Sequence, residues 1–254
     1  MIVGSVVDRE LTRRASDGVD CIIHLAALVG APKCARAPDL AEKINVRGTV
    51  SVIDARQPGQ GLILASTGSV YGRLEGLCEE TSECNPLSAY ARTKLEAEEL
   101  VFEAGGVCLR FATLMGPSPA MRFDLLVNHV VWTMVHEGEF KVFEGDALRT
   151  FLDVRDAARA IRFFADTLET LPWQVFNVGS ETGNLTKGEV VRRVAERVGG
   201  TLTQLEGYSD PDARDYFVDY SRLSSLGFVT SYSLGLTLGD VAAMAALCPT
   251  ADWL

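Results

Sequence analysis

The stretches GLILASTGSVYG (residues 61–72) and NPLSAYARTKLEAEEL (residues 85–100) decide the fold. The first is a short apolar run that ends in hydroxyl side chains, which predicts a buried strand. The second places good helix formers after a proline-marked turn and predicts a helix. Tyr90 and Lys94 are four residues apart and share one face of that helix. On a solvated face this pair has no special role, whereas in a cleft it can handle protons.

On both sides of these stretches, short apolar runs alternate with helical patterns. Strands are predicted for MIVGSVV (1–7), CIIHLAA (21–27) and VCLRFATLMG (107–116), and helices for DRELTRRASDG (8–18) and DLAEKINVRGTVSVIDAR (39–56). Strands that alternate with helices of this length indicate right-handed βαβ crossovers. The sequence therefore predicts an α/β fold with a parallel sheet covered on both faces.

The second half of the chain predicts a lobe built onto this sheet. Helices are predicted for residues 122–138, 154–168 and 186–200, and strands for residues 141–145 and 173–179. Thr186 is the predicted N-cap of the last helix, with Glu189 completing a capping box. Gly199 and Gly200 end it.

Composition narrows the class of protein. With 254 residues and 47% apolar content, the chain can bury a sizeable core. The net charge of −10 argues against a nucleic-acid partner, which needs clustered Lys and Arg. We expect no membrane span and no signal peptide, because no apolar run approaches 18 residues and no charged leader opens the chain. Six cysteines without CxxC spacing predict reduced core residues in a cytoplasmic protein, with no metal site and no disulfide framework.

Small or hydroxylated residues end three of the predicted strands. Ligands bind outside the carboxyl ends of strands in such sheets. The residues at these ends are Ala26, Ala27, Ser66, Thr67, Ser69 and Thr113. Thr67, Tyr90 and Lys94 together form a predicted proton-handling group. A phenol has a pKa near 10, but a nearby cation favours the phenolate, which can then exchange a proton with a substrate alcohol.

Six motifs follow one another in an order that resembles a known family. They are HLAA, STGSVYG, PLSAYARTK, LRF followed by GP, RTFLDVRDAARA and FNVGS. The chain, from residue 1 to about residue 245, is similar to the extended short-chain dehydrogenase/reductase family, in its nucleotide-sugar epimerase/dehydratase branch. The resemblance implies a Rossmann-like doubly wound parallel sheet with a small C-terminal lobe. It places the dinucleotide-binding core in residues 1–116 and 150–180, and the substrate lobe in residues 117–149 and 181–254.

The resemblance also implies roles for individual residues. Thr67 matches the catalytic hydroxyl, Tyr90 the general acid/base, and Lys94 the residue that binds the nicotinamide ribose and lowers the tyrosine pKa. The implied contacts of the cofactor, NAD or NADP, are Leu25, Ala26, Ala27, Asn45, Tyr90 and Lys94. The implied contacts of the sugar nucleotide are Ser66, Ser69, Thr113, Arg149, Arg214 and Tyr216. Relatives often carry asparagine where Thr113 stands, so contacts with the sugar can differ.

One family signature does not occur in this sequence. The family begins with a strand, a GxxGxxG loop and a second strand, whereas Met1 falls at what resembles the third strand. This comparison predicts a sheet without the first two strands and a cofactor site that is weakened or lost. Residues 1–7 then either pair directly with residues 21–27, which we favour, or leave an open edge for a partner chain.

Several other residues carry simpler expectations. His24 lies in an apolar strand and is predicted to be a hydrogen-bonded core histidine, while His129 and His136 are predicted to pack in the core or at an interface. Arg149 is expected to contact an anion, with a surface ion pair as the alternative. KLEAEEL (94–100) is predicted to be a solvated helix face.

The leading hypothesis is an NAD-dependent nucleotide-sugar epimerase/dehydratase. The sequence does not choose among epimerase, dehydratase and reductase activity. A second hypothesis is a cofactor-independent acid–base enzyme that performs elimination or cyclisation. A third is a non-catalytic homologue that binds sugar nucleotides. The resemblance further implies a homodimer.

Overall fold

The computed structural model describes residues 1–74, 76–207 and 215–248. In chain order its strands are β1 (Cys21–His24), β2 (Gly61–Thr67), β3 (Leu77–Cys78), β4 (Val107–Phe111), β5 (Thr113–Met115), β6 (Glu139–Phe143), β7 (Leu148–Asp153), β8 (Val175–Val178), β9 (Asn184–Thr186), β10 (Thr201–Leu205) and β11 (Phe217–Val218). Its α-helices are α1 (Arg9–Ala15), α2 (Ala31–Arg36), α3 (Pro38–Glu42), α4 (Gly48–Ala55), α5 (Ala89–Glu103), α6 (Leu126–Glu137), α7 (Val154–Thr167), α8 (Lys187–Val198), α9 (Ser221–Ser225) and α10 (Leu234–Ala246).

The chain divides into two compact units. The first comprises Met1–Leu74, Glu80–Phe111 and Ile161–Asn177, and the second comprises the described residues within Glu75–Glu79, Ala112–Ala160 and Val178–Leu254. Of the residues that the family resemblance places in the core, residues 76–79, 112–116, 150–160 and 178–180 belong to the second unit.

The first unit is built on a sheet with the strand order β1-β2-β4-β8. β1 and β4 both pair with β2 in parallel. Val175 of β8 packs with the core between β2 and α5, whereas the ring of the next residue, Phe176, lies 4.7 Å from that of Phe164 in α7. Because successive strand residues point to opposite faces, helices cover both faces of this sheet, as predicted.

The prediction of a strand in residues 1–7 is wrong. Within residues 1–8, all of which the structure describes, no strand forms and none pairs with β1. The backbone turns at Ser5, and the Asp8 side chain caps α1 by accepting the Leu11 N–H at 3.0 Å. Val6 packs against α4 instead of entering the sheet. The apolar run is thus the approach to a helix, and the outer edge of β1 is unpaired among the described residues.

The helix predicted over residues 39–56 is interrupted. Between α3 and α4 lies a π-helical turn, Lys43–Arg47, that contains Asn45. Such turns widen the helix locally and often occur at functional sites. Likewise, residues 107–116 form two strands: β4 lies in the sheet of the first unit, and β5 pairs with β7 in the second.

The second unit contains small sheets and a layer of three helices. β5, β7 and β9 form one sheet, β6 pairs with β10, and β3 pairs with β11. α6, α8 and α10 pack on one another through a core that includes Val130, Val191 and Val241. The capping box of α8 is confirmed, because Thr186 accepts the Glu189 N–H at 3.1 Å and Glu189 accepts the Thr186 N–H at 3.2 Å. No helix among the described residues has the length and apolar character needed to cross a membrane.

Candidate active site on the first unit

The start of α5 is fixed by its N-cap. Ser88 has an extended backbone, and its hydroxyl accepts the Ala91 N–H at 3.1 Å. This cap satisfies one of the free N–H groups of the first turn and sets where the helix begins. Tyr90 and Lys94 therefore fall in the first two turns of α5, on one face.

Lys94 is a buried cation. Its side chain is only 3% exposed, and among the described residues its ammonium has no hydrogen bond and no ion pair. Burial lowers the pKa of Lys94 to about 8, while the carboxylate of Glu98 opposes that shift. A buried ammonium without a protein partner is energetically costly, so it is the kind of group that a ligand hydroxyl or an anion would satisfy.

Thr67 ends β2, as the sequence predicts. Its hydroxyl donates to Ser69 Oγ at 3.1 Å and accepts the Ser69 N–H at 3.2 Å. These bonds cap the short 3₁₀ turn Gly68–Tyr71. Thr67 is partly exposed, and Ser69 is buried beside it.

Ser66, predicted as a sugar contact, is buried, and its hydroxyl donates to the carboxylate of Glu98. This hydroxyl is thus engaged within the first unit. Thr67, the next residue along β2, carries the more accessible hydroxyl at this strand end.

Asn45 ties the loop after β1 to α5. Its side chain, 1% exposed, accepts the Leu28 N–H at 2.7 Å and donates to the Leu28 carbonyl at 3.1 Å. It also donates to Thr93 Oγ1 at 2.9 Å, and Thr93 donates to the Tyr90 carbonyl at 2.9 Å. A continuous set of hydrogen bonds therefore runs from the loop to the backbone of Tyr90.

The loop held by Asn45 offers space above it. Leu25 is 58% exposed, Ala26 is exposed and Ala27 is partly buried. Two alanines leave room for a flat group to approach the backbone. Beneath the loop, His24 is buried and its Nε2 lies 3.0 Å from Thr49 Oγ1, which confirms that it is a hydrogen-bonded core histidine. Burial and, to a smaller extent, the charge of Lys94 lower the pKa of His24 to about 4.

The sequence analysis missed a buried ion pair beside this site. Glu98 is 4% exposed and Arg110 is 6% exposed, and Arg110 Nη2 donates to Glu98 Oε2 at 2.8 Å. The prediction that KLEAEEL is a solvated face is therefore wrong for Lys94 and Glu98, although Glu96 and Glu99 are exposed. A signal was present, because an arginine inside the apolar strand VCLRF requires a buried partner.

The remaining candidates lie on the second unit or outside the described residues. Thr113 is partly buried on β5, Arg149 is buried on β7, and Tyr216 is buried before β11. Arg149 is 6% exposed, and its Nη1 donates to the carbonyl of Leu148 at 2.7 Å. Arg214 lies outside the described residues.

The motif RTFLDVRDAARA supplies buried carboxylates to the second unit. Asp153 accepts from Arg155 and from Thr237 Oγ1 at 2.6 Å. Asp156, fully buried, accepts the N–H groups of Ser231 and Tyr232. Asp153 thus contacts α10 itself and Asp156 holds the segment before α10, and both roles are structural. Among the described residues, no cluster of three acidic, histidine or cysteine side chains could hold a metal ion.

The class of protein is shown by the sequence and the fold together. A sequence model of the NAD dependent epimerase/dehydratase family matches residues 1–179. The chain belongs to this family, whose Rossmann-type α/β fold its structure shares.

Two relatives and one solved structure illustrate the similarity. The chain is 26% identical over 220 residues to a UDP-glucuronate 4-epimerase from Thermodesulfobacterium geofontis, a match that covers 82% of this chain and 66% of that protein. It is 27% identical over 234 residues to a dTDP-glucose 4,6-dehydratase from Streptomyces griseus, covering 87% and 70%. The structure of MoeE5 with UDP-glucuronic acid and NAD superposes with a TM-score of 0.84 at 26% identity, over 97% of this chain and 85% of that one. This chain thus spans about two thirds of the length of the UDP-glucuronate 4-epimerase.

Proposed function

We propose that this chain acts as an NAD-dependent epimerase or dehydratase on a sugar nucleotide, with Tyr90, Lys94 and Thr67 as its catalytic residues. The observation that carries the proposal is the buried ammonium of Lys94, which has no described protein partner and lies one helical turn from Tyr90. Packing alone does not require such a group, because an apolar side chain would fill the same space at a lower free energy.

The residues around Lys94 fit the nicotinamide half of the cofactor. The exposed Leu25 and Ala26 leave the loop after β1 open, and Asn45 holds that loop from beneath through two hydrogen bonds to Leu28. Lys94 would hold the ribose hydroxyls. Bound NAD would supply the acceptor for hydride from a sugar carbon.

The residues of this chain would handle the proton. With Lys94 charged nearby, the phenolate of Tyr90 is favoured and can take the proton of a sugar hydroxyl. The Thr67 hydroxyl, bonded to Ser69, would hold the same sugar oxygen in place. Because burial lowers the pKa of Lys94 to about 8, this arrangement works below that pH and weakens above it.

The relatives support a proposal for the substrate class. A UDP-glucuronate epimerase and a dTDP-glucose dehydratase are among the proteins similar to this chain. We therefore propose a UDP- or dTDP-hexose as the substrate.

The test is product formation followed by ¹H NMR. The purified chain is incubated with UDP-glucose, UDP-glucuronic acid or dTDP-glucose, each with and without added NAD. We expect that one of these sugar nucleotides is converted and that its conversion requires NAD. The rate should fall by about 100-fold or more in Tyr90→Phe, because general acid–base groups contribute about 10²- to 10⁴-fold. Saturation-transfer NMR checks that this variant still binds the sugar nucleotide.

Two controls sharpen the result. Lys43→Met removes an exposed lysine and should leave conversion unchanged, whereas Lys94→Met should abolish it. Binding of the sugar nucleotide without any conversion would contradict the catalytic proposal. Conversion that needs no NAD would point to cofactor-independent acid–base chemistry instead.

A further inference from the structure

Glu98 lies where three elements of the candidate site meet. It is on α5, four residues after Lys94, and therefore on the same helix face. Its carboxylate accepts from the Ser66 hydroxyl on β2, directly before Thr67, and from Arg110 on β4. One buried side chain thus contacts or neighbours each element that carries a proposed catalytic residue.

The carboxylate of Glu98 is held in one position. Arg110 Nε donates to Glu98 Oε2 at 3.0 Å and Arg110 Nη2 at 2.8 Å. Arg110 itself is fixed, because its Nη1 donates to the Glu80 carbonyl and its guanidinium lies 4.9 Å from the centre of the Tyr71 ring. These bonds hold the Glu98 side chain in one position between α5, β2 and β4.

Other groups near Lys94 carry no charge at neutral pH. Burial and then Lys94 lower the pKa of His24 to about 4, so His24 is neutral. Burial raises the pKa of Cys108 well above its ordinary value, so its thiol is neutral as well. Among the described groups that act on Lys94, the carboxylate of Glu98 is the remaining negative charge.

We infer that Glu98 is a positioning residue of the proposed active site, whose fixed negative charge keeps the buried Lys94 side chain in its ammonium form. The effect of Glu98 on the protonation of Lys94 follows from the burial and spacing of the two residues. Only the consequence of that effect for catalysis rests on the proposed function. Arg110 and Ser66 hold Glu98 in place and do not touch the reacting groups.

The test measures the protonation of Lys94 directly. The chain has five lysines, so ¹³C-lysine labelling gives few ε-carbon signals, and the Lys94 signal is the one that Lys94→Met removes. In the unaltered protein we expect it to titrate at about pH 8. In the double variant Glu98→Gln with Arg110→Met, which removes both charges of the buried ion pair together, we expect this titration to move lower by about one pH unit.

The matched control is Glu99→Gln, which removes an exposed carboxylate from the neighbouring position of the same helix. It should leave the Lys94 titration in place. A folded double variant with an unmoved Lys94 titration would overturn the inference, as would an equal movement in Glu99→Gln.

A measurement on the unaltered protein applies even if the double variant does not fold. In about 0.5 M KCl, exposed charges are screened over a few ångströms, whereas a buried counter-charge is not. The titration of Lys94 should therefore stay constant with added salt. A clear movement to lower pH in salt would show that the counter-charge is exposed and is not Glu98.

These readouts separate the inference from the proposed function. The NMR titration needs neither NAD nor a substrate, so an inactive chain can still show the effect of Glu98. Where the chain is active, the fall of product formation at high pH should move together with the Lys94 titration. A purely structural Glu98 would lower activity equally at every pH.

Discussion

Replacing Lys94 with methionine should stabilise the protein while it removes the proposed activity. Methionine has a similar length and flexibility and can fill the space that the lysine chain occupies. It removes a charge that is buried at 3% exposure with no described partner. Most substitutions at buried positions destabilise a protein, so a gain in stability would be unusual and informative.

The magnitude follows from the pKa of Lys94. Burial lowers it from 10.5 to about 8. At neutral pH the unfolded chain then holds this proton more tightly than the folded chain does, and a pKa difference of about 2.5 corresponds to about 3 kcal/mol. Lys94→Met should recover about 1 to 3 kcal/mol at pH 7. The stability gain of Lys94→Met should decrease at high pH. As the pH rises from 8 to 10.5, Lys94 of the unaltered protein loses its proton in the unfolded chain as well, and the buried charge no longer destabilises the fold.

Urea unfolding at several pH values measures this difference, and amide exchange of β2 and β4 reports the first unit in particular. Lys187→Met is the matched control, because Lys187 is also buried but pairs with Glu144 at 3.2 Å and lies 4.4 Å from the centre of the Phe143 ring. That variant should lose about 1 kcal/mol or more. Lys94→Met could instead lose stability at pH 7, as Lys187→Met does. That result would refute the claim that Lys94 is a costly buried ammonium, on which the proposed function rests.

Two further predictions concern hydrogen-bonded side chains. Asn45→Ala removes three hydrogen bonds, so it should lower the free energy of unfolding by about 2 to 4 kcal/mol. It should also speed exchange of the Leu28 amide proton. The control Asn85→Ala, at an exposed position, should change the free energy of unfolding by less than about 0.5 kcal/mol. Equal stabilities of the two variants would contradict the role of Asn45. Burial alone would raise the pKa of Asp153, but hydrogen bonds from Arg155 and Thr237 outweigh burial and lower it. Its carboxylate thus stabilises the fold above the ordinary pKa of 3.8, and this contribution is lost as the pH falls through the folded-state pKa. Asp153→Asn lacks this contribution. Its Tm should therefore fall less steeply with decreasing pH than the Tm of the unaltered protein.

Features set by neighbouring residues could be predicted from the sequence. The capping box of α8 needs only Thr186 and Glu189 at the correct spacing, and both bonds are present. The parallel sheet of the first unit and the burial of His24 followed from short apolar runs that alternate with helical patterns. The order of the motifs was enough to recognise the family.

Features set by distant residues could not be predicted. Glu98 has the spacing of a solvated helix residue, and only the approach of Arg110 on β4, twelve residues later, makes it a buried ion pair. Residues 1–7 have the composition of a strand, but a strand needs a paired neighbour, and the turn at Ser5 directs the chain into α1 instead.

The sequence by itself determined the α/β fold and the placement of Tyr90 and Lys94 on one helix face, because periodicity and spacing are local properties of the chain. The family followed from the resemblance of its ordered motifs. Only the tertiary structure decided that Lys94 is buried without a described hydrogen-bond partner, that Glu98 is a buried carboxylate paired with Arg110, and that Asn45 joins the loop after β1 to α5. These properties depend on how much water each group loses and on which groups from other elements come within hydrogen-bond distance, and packing of the whole unit sets both.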